Sequence, residues 1–478
     1  MASTYFERPV SGRIGDTTKH TRRGLVLFTM CLGVFIAQLD STVVYLGVKH
    51  IGDDLGSGVS QLQWVLDIYN LFYASLLLTG GTLGDLYGRT RIFVIGIALV
   101  ALGSVACAVA PNSATLIAGR AVTGVGAALE LPSSLAILAV TYKDAAERGR
   151  AIGIWASCNG LAMAIGPTLG GLLVNTAGWR SIFYVVIPVC VLGIVMALTS
   201  VPESRNPEGR NLDPAGQALA IVALSALAFV VIEGAHWGWI SPLILCLAAV
   251  AAMSGVVFLV VEARQRGAMV PLDIFASAPF NASLAIAGLM TFGMYAMMFL
   301  TPLYLQTVRG ETALVAGLSL VPMSLTFVAV SQYSGVLMKR IGARAMMASG
   351  MALMGGGLLL LTAISAATSL VAIEAALVVI GVGLGMNTGP VNAVAVANVP
   401  AARSGTASGL LNTGRMIGAT LGIAVLGAIF AAHADVGTTE GTITGLRLAF
   451  LGGAVGELTG MVIALVFTRA DSMHPRKT

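Results

Sequence analysis

GTLGDLYGRTR, residues 81–91, decides the fold. It sets turn-forming glycines, the carboxylate of Asp85 and the two arginines Arg89 and Arg91 between two long apolar runs. So short and charged a stretch is too polar for hydrocarbon and too small for a domain, so it joins two membrane helices. A weaker copy, GVLMKRIGAR, occupies residues 335–344, with Gly335 answering Gly81, Leu337 answering Leu83 and Gly342 answering Gly88. Two like loops at matching positions imply two like bundles.

Composition supports the same reading. Of 478 residues, 56% are hydrophobic and only 10% charged, and the mean hydropathy is +0.88. That is too little charge to cover a soluble protein of this size, whereas a bilayer core of ~30 Å calls for apolar runs of about 20 residues. Abundant Ala and Gly suit helices whose backbones approach closely. The polar first 23 residues lead straight into a full-length span, so span 1 is expected to act as its own targeting signal. The five cysteines lie singly in apolar runs, which predicts neither a disulfide framework nor a metal site.

Fourteen apolar spans can be counted. They predict a cytoplasmic tail 1–23, a first six-helix bundle 24–201, a linker 202–213, an inserted pair of helices 214–262, a loop 263–279, a second six-helix bundle 280–468 and a tail 469–478. With both termini inside, 21 of the 27 Lys and Arg fall on the cytoplasmic side, four outside (Lys49, Arg180, Arg309, Arg447) and two within spans (Arg120, Arg415). That bias orients the chain and accounts for its basic charge without a nucleic-acid partner. Internal repetition agrees: IGPTLGG at 165–171 is answered by IGATLGI at 417–423, and GVG at 124–126 by GVG at 381–383. Two related halves place a substrate site at their interface and work by rocking against one another.

Within the loop, Asp85 ends span 2, Gly88 permits a tight turn, and Arg89 and Arg91 can pair with carboxylates or helix C-termini when the inner side closes. A plain positive-inside turn is the other reading. The copy keeps the glycines and replaces Asp85 by Lys339, as if the turn were architectural and the carboxylate specific to one half.

Charge inside a span is costly enough to suggest function by default. Asp40 in span 1 and Arg120 in span 4 fall at similar depth in the outer half when placed at ~1.5 Å per residue, and Asp67 in span 2 lies near that level. Low dielectric disfavours a carboxylate anion and a nearby arginine favours it, which is the switch proton coupling needs; a static pair fixing helix register would look the same. Glu130 lies ten residues beyond Arg120, about 80° away round the helix at ~100° per residue, and reads as a cavity-lining proton or cation site. Glu374 and Glu457 suit helix packing or an outer vestibule equally well, and Arg415 is a candidate counter-charge for one of them. Gly166 and Gly170 form a small-residue face beside Pro167, which bends the helix. No nucleotide-binding loop, metal-ligand spacing or catalytic triad stands out.

The loop 81–91 resembles the signature between helices 2 and 3 of the major facilitator superfamily. LIAGRAVTGVGAALELPSSL at 116–135 resembles its helix 4 motif, and GPTLGG at 166–171 its antiporter motif. LDSTVVYLGV at 39–48 and SGTASGLLNTGRMIGATLG at 404–422 are similar to helices 1 and 13 of the fourteen-spanner drug:proton antiporters. The resemblance covers residues 24–468. It implies export of amphipathic, often cationic or antibiotic-like compounds in exchange for protons. Asp40 and Arg120 would join the coupling machinery, with Glu130 and Asp67 as further candidates. Gly81, Asp85, Gly88 and Arg89 would form the cytoplasmic gate, and Gly166, Pro167, Gly170 and Gly171 a hinge or a leak-preventing contact. Tyr45, Leu46, Gly47, Val48 and Lys49 depart from the usual end of the helix 1 motif. Glu130 stands where an apolar residue is usual, a change that would tune the cavity toward cations.

The expectation is therefore an all-α polytopic membrane protein, two six-helix bundles plus an inserted two-helix hairpin. It would act as a monomeric plasma-membrane antiporter with protons as coupling ion and no other cofactor. Two alternatives stay open: a transporter of one specific metabolite or lipid, and a non-transporting membrane sensor.

Overall fold

The computed structural model describes residues 13–206, 213–264, 270, 272–400, 403–435 and 438–468. Most of the expected N-terminal tail, the core of the linker at 207–212, residues 265–269 of the central loop and the tail 469–478 lie outside the described residues.

Among the described residues the chain runs back and forth as fourteen long helices with no strand. These are α1 (Arg13–Leu55), α2 (Val59–Tyr87), α3 (Arg89–Ala108), α4 (Ser113–Thr141), α5 (Ala145–Ala177), α6 (Ser181–Ser200), α7 (Pro214–Trp237) and α8 (Pro242–Arg264). After a 3-10 turn at Leu272–Ala276 come α9 (Ala278–Thr307), α10 (Ala313–Ile341), α11 (Ala343–Leu361), α12 (Leu370–Ala397), α13 (Ser404–His433) and α14 (Thr439–Phe467). Val185 interrupts α6 and Leu320 interrupts α10. Thirteen are long and apolar enough to span a bilayer; α2 is diluted by Gln61, Gln63, Asp67, Asn70 and Asp85 but runs the same length between neighbours that qualify.

Side chains start many of these helices. Asn112 accepts from Thr115 N (2.9 Å), Asp144 from Ala146 N and Glu147 N, and Ser369 from Ala372 N, each satisfying an amide left open in a first turn. The even count puts the start of α1, the end of α14 and the 81–91 turn on one face, called here the loop side.

The two halves repeat in packing as well as in sequence. A Cβ on Gly126 of α4 would lie 2.6 Å from Gly96 O of α3, and one on Gly383 of α12 would lie 2.5 Å from Gly350 O of α11. The GVG pair thus marks the same backbone-to-backbone approach in each half. The inserted α7–α8 hairpin rides outside. Gln217 of α7 donates to Ser75 O (2.7 Å) and Glu233 accepts from Trp64 Nε1 (3.1 Å) and from Ser60, tying α7 to α2. Beyond it α8 leaves Leu245, Met253, Val256 and Leu259 more than half exposed, a surface suited to lipid.

The halves meet in the part of the molecule far from the loop side. Gly171 of α5 lies against the backbone of Ala313, and Gly317 of α10 against the carbonyl of Pro167, so these two helices touch main chain to main chain. Across the molecule, Gln63 at the start of α2 donates to Ile423 O (3.0 Å) and Ala424 O (3.2 Å) of α13. Gln306 donates to Leu46 O (3.3 Å), and the rings of Tyr45 and Tyr295 meet edge to face at 6.4 Å. The four Lys and Arg residues of this far side are all engaged: Lys49 with Asp53, Arg180 with Asp54, Arg309 with Glu311 and Arg447 with Ile364 O.

Candidate functional site

Closure at the far side leaves a cavity of about 1080 Å³ between the halves. Its mouth is lined by the loop-side ends of helices: Thr82 and Asp85 of α2, Gly153 of α5, Asn392 of α12 and Arg403 of α13. Deeper in, Tyr69, Tyr73 and Trp155 of the first half face Tyr295, Phe327 and Arg415 of the second. The walls also carry Met163, Met290, Met294 and Met416. Thioether and aromatic walls with scattered amides accept varied apolar bodies.

Behind the first-half wall lies the charge pair. Arg120 Nη1 donates to Asp40 Oδ2 at 2.6 Å, with each side chain only 1% exposed. The guanidinium stacks over the Tyr69 ring at 4.6 Å, and its Nε donates to Val65 O at 3.3 Å. One carboxylate oxygen, Oδ1, has no hydrogen-bond partner among the described residues. Tyr69 thus touches the cation and also lines the cavity. Asp67 is also fully buried, and neither of its oxygens has a hydrogen-bond partner among the described residues.

The 81–91 turn is bound into its own half. Gly88 takes φ 113°, and a Cβ there would lie 2.8 Å from the Glu203 carboxylate. Glu203 accepts from Thr90 N and Arg91 N, both at 3.0 Å, so an acid from the segment after α6 caps the positive start of α3. Arg89 Nη2 reaches Asp85 Oδ1 at 2.8 Å, Arg89 N donates to Ser204 O and Asn206 N to Asp85 O, both at 2.9 Å. In the copy, Gly342 keeps a positive φ of 82° with open space beside it. The sequence reading is corrected on one point: Arg89 pairs with Asp85 while the loop side is open, because an i,i+4 spacing across the turn brings them together without the second half. Gly81 stands on the cavity wall near Pro132. Glu203 was missed in the sequence as a linker residue; an acid two residues after an apolar span was the available signal.

The motif in α5 divides by face. Gly166 and Gly170 press on Thr42 and Val43 of α1, whereas Pro167 and Gly171 press on α10. One short stretch thus holds its own bundle together and closes the far side against the other.

Two further expectations, for Glu130 and Arg415, are corrected, and the two readings of Glu374 and Glu457 narrow. Glu130 does not line the cavity: it is fully buried, and its backbone and Cβ pack on Gly96 of α3. Glu457 is buried with its carboxylate against Gly293 of α9, and half-buried Glu374 stands five residues into α12 off the cavity wall. Arg415 is counter-charge to neither: among the described residues its side chain bonds only Asn412, Nη1 to Oδ1 at 3.1 Å.

A family model for the major facilitator superfamily matches residues 30–423. The chain belongs to the major facilitator superfamily. It is thus a transporter and not an enzyme, and a multi-pass membrane protein. Multidrug resistance protein Stp of Mycobacterium tuberculosis is 39% identical over 413 residues, 85% of this chain and 76% of Stp. The methylenomycin A resistance protein of Bacillus subtilis is 34% identical, covering 88% of this chain and 90% of that protein. Multidrug efflux pump LfrA of Mycolicibacterium smegmatis is 31% identical, over 97% and 93% respectively. The crystal structure of a peptide transporter, POT, in complex with sulfate superposes with a TM-score of 0.68 at 16% identity, covering 92% of this chain and 93% of that one. At that identity the match bears on the superfamily fold alone.

Proposed function

We propose that the protein is a proton-coupled antiporter that exports small amphipathic or hydrophobic drugs or antibiotics by alternating access. The observation that carries the reading is a cavity open on the loop side, walled by both halves and backed by the Asp40–Arg120 pair. The names of Stp, LfrA and the methylenomycin A resistance protein support the substrate class. The positive-inside bias supports a cytoplasmic loop side, with both termini inside the plasma membrane.

In this reading the cavity loads substrate from the cytoplasm or inner leaflet. Protonation at Oδ1 of Asp40, the oxygen without a partner among the described residues, weakens its hold on Arg120 and loosens α1 from α4. Closing the loop side while parting Gly171 from Ala313 and Gly317 from Pro167 opens the cavity outward. Protons moving inward supply ~2.3 kcal/mol per charge per 100 mV. Asp67 and Glu130 serve as additional buried protonatable groups, the Asp85–Arg89 turn as the cytoplasmic gate, and a monomer suffices.

The test uses purified protein in proteoliposomes with an interior pH dye and a panel of neutral, cationic and anionic antibiotics. Substrate-triggered proton flux that disappears in Asp40→Asn is the expected result. Silence across the panel from folded protein would overturn drug export in favour of a narrow metabolite or lipid substrate.

A further inference from the structure

The Arg120 guanidinium is held from two neighbouring helices at once. Its Nη1 donates to Asp40 Oδ2 of α1 at 2.6 Å. From α2 it is held at two points about one turn apart: Nε donates to Val65 O at 3.3 Å, and the cation lies over the Tyr69 ring at 4.6 Å. A ring that close to a desolvated cation attracts it through its negative face. Of these partners, with Thr123 Oγ1 at 3.4 Å, Tyr69 is the one that also lines the cavity.

Tyr69 is anchored at both ends. A Cβ on Gly124 of α4 would lie 2.5 Å from Tyr69 O and 3.0 Å from its Cα, so α2 and α4 meet main chain to main chain at this residue. The hydroxyl donates to Ala37 O at 3.0 Å, on the turn of α1 that precedes Asp40. Tyr73, one turn further along α2, stands 6.2 Å away ring to ring and lines the cavity too. With backbone and hydroxyl both held, what can change is the tilt of the ring against the cation. The other titratable groups that bear on Asp40 are Cys107 of α3, Glu130 of α4 and Cys190 of α6, none of them on the cavity wall, and α5 meets this part of α1 with Gly166 and Gly170. Gln38 and Ser41, beside Asp40 in the chain, do line the cavity, which makes the backbone of α1 the competing route.

We infer that Tyr69 is a positioning residue that carries occupancy of the cavity to the Asp40–Arg120 pair, so that substrate and proton are read against each other through its ring. This rests on the proposal above that the pair is the proton-coupling site. Protonation of Asp40 frees Arg120 to move toward Val65 O and the ring, and the ring tilts into space that a substrate body fills. A bound substrate holds the ring back, keeps Arg120 on Asp40 and drives the proton off. Each ligand thereby lowers the affinity for the other by the same factor.

The test is proton release on binding, followed with a pH indicator in weakly buffered nanodiscs that hold purified full-length protein. The probe is 1-pyrenemethanol, an apolar aromatic alcohol with no proton of its own to give near neutral pH. It is added to saturation of each variant, so a change in affinity alone leaves the reading untouched. Wild type should release protons and Asp40→Asn none. Tyr69→Leu should release at least about threefold fewer than wild type at full occupancy, as expected when a coupling of ordinary size is removed. Tyr69→Phe, which keeps the ring and loses the hydroxyl, should recover most of the release. Full release from Tyr69→Leu would overturn the inference alone and send the coupling through the backbone of α1. Equal loss in Tyr69→Leu and Tyr69→Phe would assign the effect to the hold on Ala37 and overturn the role of the ring. No release from wild type with the probe bound, or release that survives in Asp40→Asn, would overturn the coupling reading and the inference with it. Failure of wild type to bind the probe would overturn both together with the cavity as an apolar substrate path. A fluorotyrosine at position 69 gives a reading that does not depend on Tyr69→Leu folding. Its fluorine NMR signal should shift when the probe is added and again in Asp40→Asn, and a signal that answers only one of the two would overturn the inference.

Discussion

Replacing Asp40 by Asn separates a structural ion pair from a coupling device. In the wild type one short bond, Arg120 Nη1 to Asp40 Oδ2 at 2.6 Å, stands against three long contacts, to Val65 O at 3.3 Å and to Asp40 O and Thr123 Oγ1 at 3.4 Å. Removing one partner of such a buried pair costs about 3–5 kcal/mol. An asparagine oxygen can still accept from Nη1 and the Tyr69 ring still faces the cation, so the lower end, about 3 kcal/mol, is expected. Pairing it with Arg120→Gln removes the stranded charge and should return stability to within about 1 kcal/mol of wild type. Unfolding in nanodiscs measures that part. Coupling is read separately, as substrate-triggered proton flux in proteoliposomes, and should be absent from both the single and the double variant. Normal flux in Asp40→Asn, or its return in the stability-restored double variant, would refute the assignment: the pair would then only set helix register.

Other perturbations test the geometry around that pair. Gly171→Val would push a side chain into Ala313 and Leu314, where even a Cβ lies 2.9 Å from Ala313 C and from Leu314 Cα; spin-label distances between the far ends of α5 and α10 should lengthen and transport should fall. Glu203→Ala removes the carboxylate from the start of α3 and should cost about 0.5–2 kcal/mol, read by unfolding, with little change in substrate preference. Glu130→Gln should leave the ratio of cationic to neutral export unchanged, since Glu130 faces α3; a selective loss of cation export in parallel uptake assays would return it to the cavity wall. Gly80→Leu would force apart α2 and α4, because a Cβ already overlaps the backbone of Ala128; a sharp drop in yield of folded protein is the expected readout.

Legibility in the sequence followed the range of the interaction. Hydropathy and turn chemistry act over neighbouring residues, so the fourteen spans and the Gly88 and Gly342 turns could be read directly, and the repeat carried the GVG approach into both halves. Depth along a helix is also local arithmetic, which is why Asp40 and Arg120 could be set at one level. The direction a side chain faces depends on helix crossing and rotation, which many distant residues decide together. The tertiary structure alone therefore turned Glu130 into the bundle, separated Arg415 from Glu457, brought Glu203 to the start of α3 and split the 166–171 motif between two partner helices. It also determined which side is closed. That is set by main-chain approaches such as Gly171 to Ala313, made between residues more than a hundred positions apart: the glycine motif signals a close approach, but nothing local names its partner.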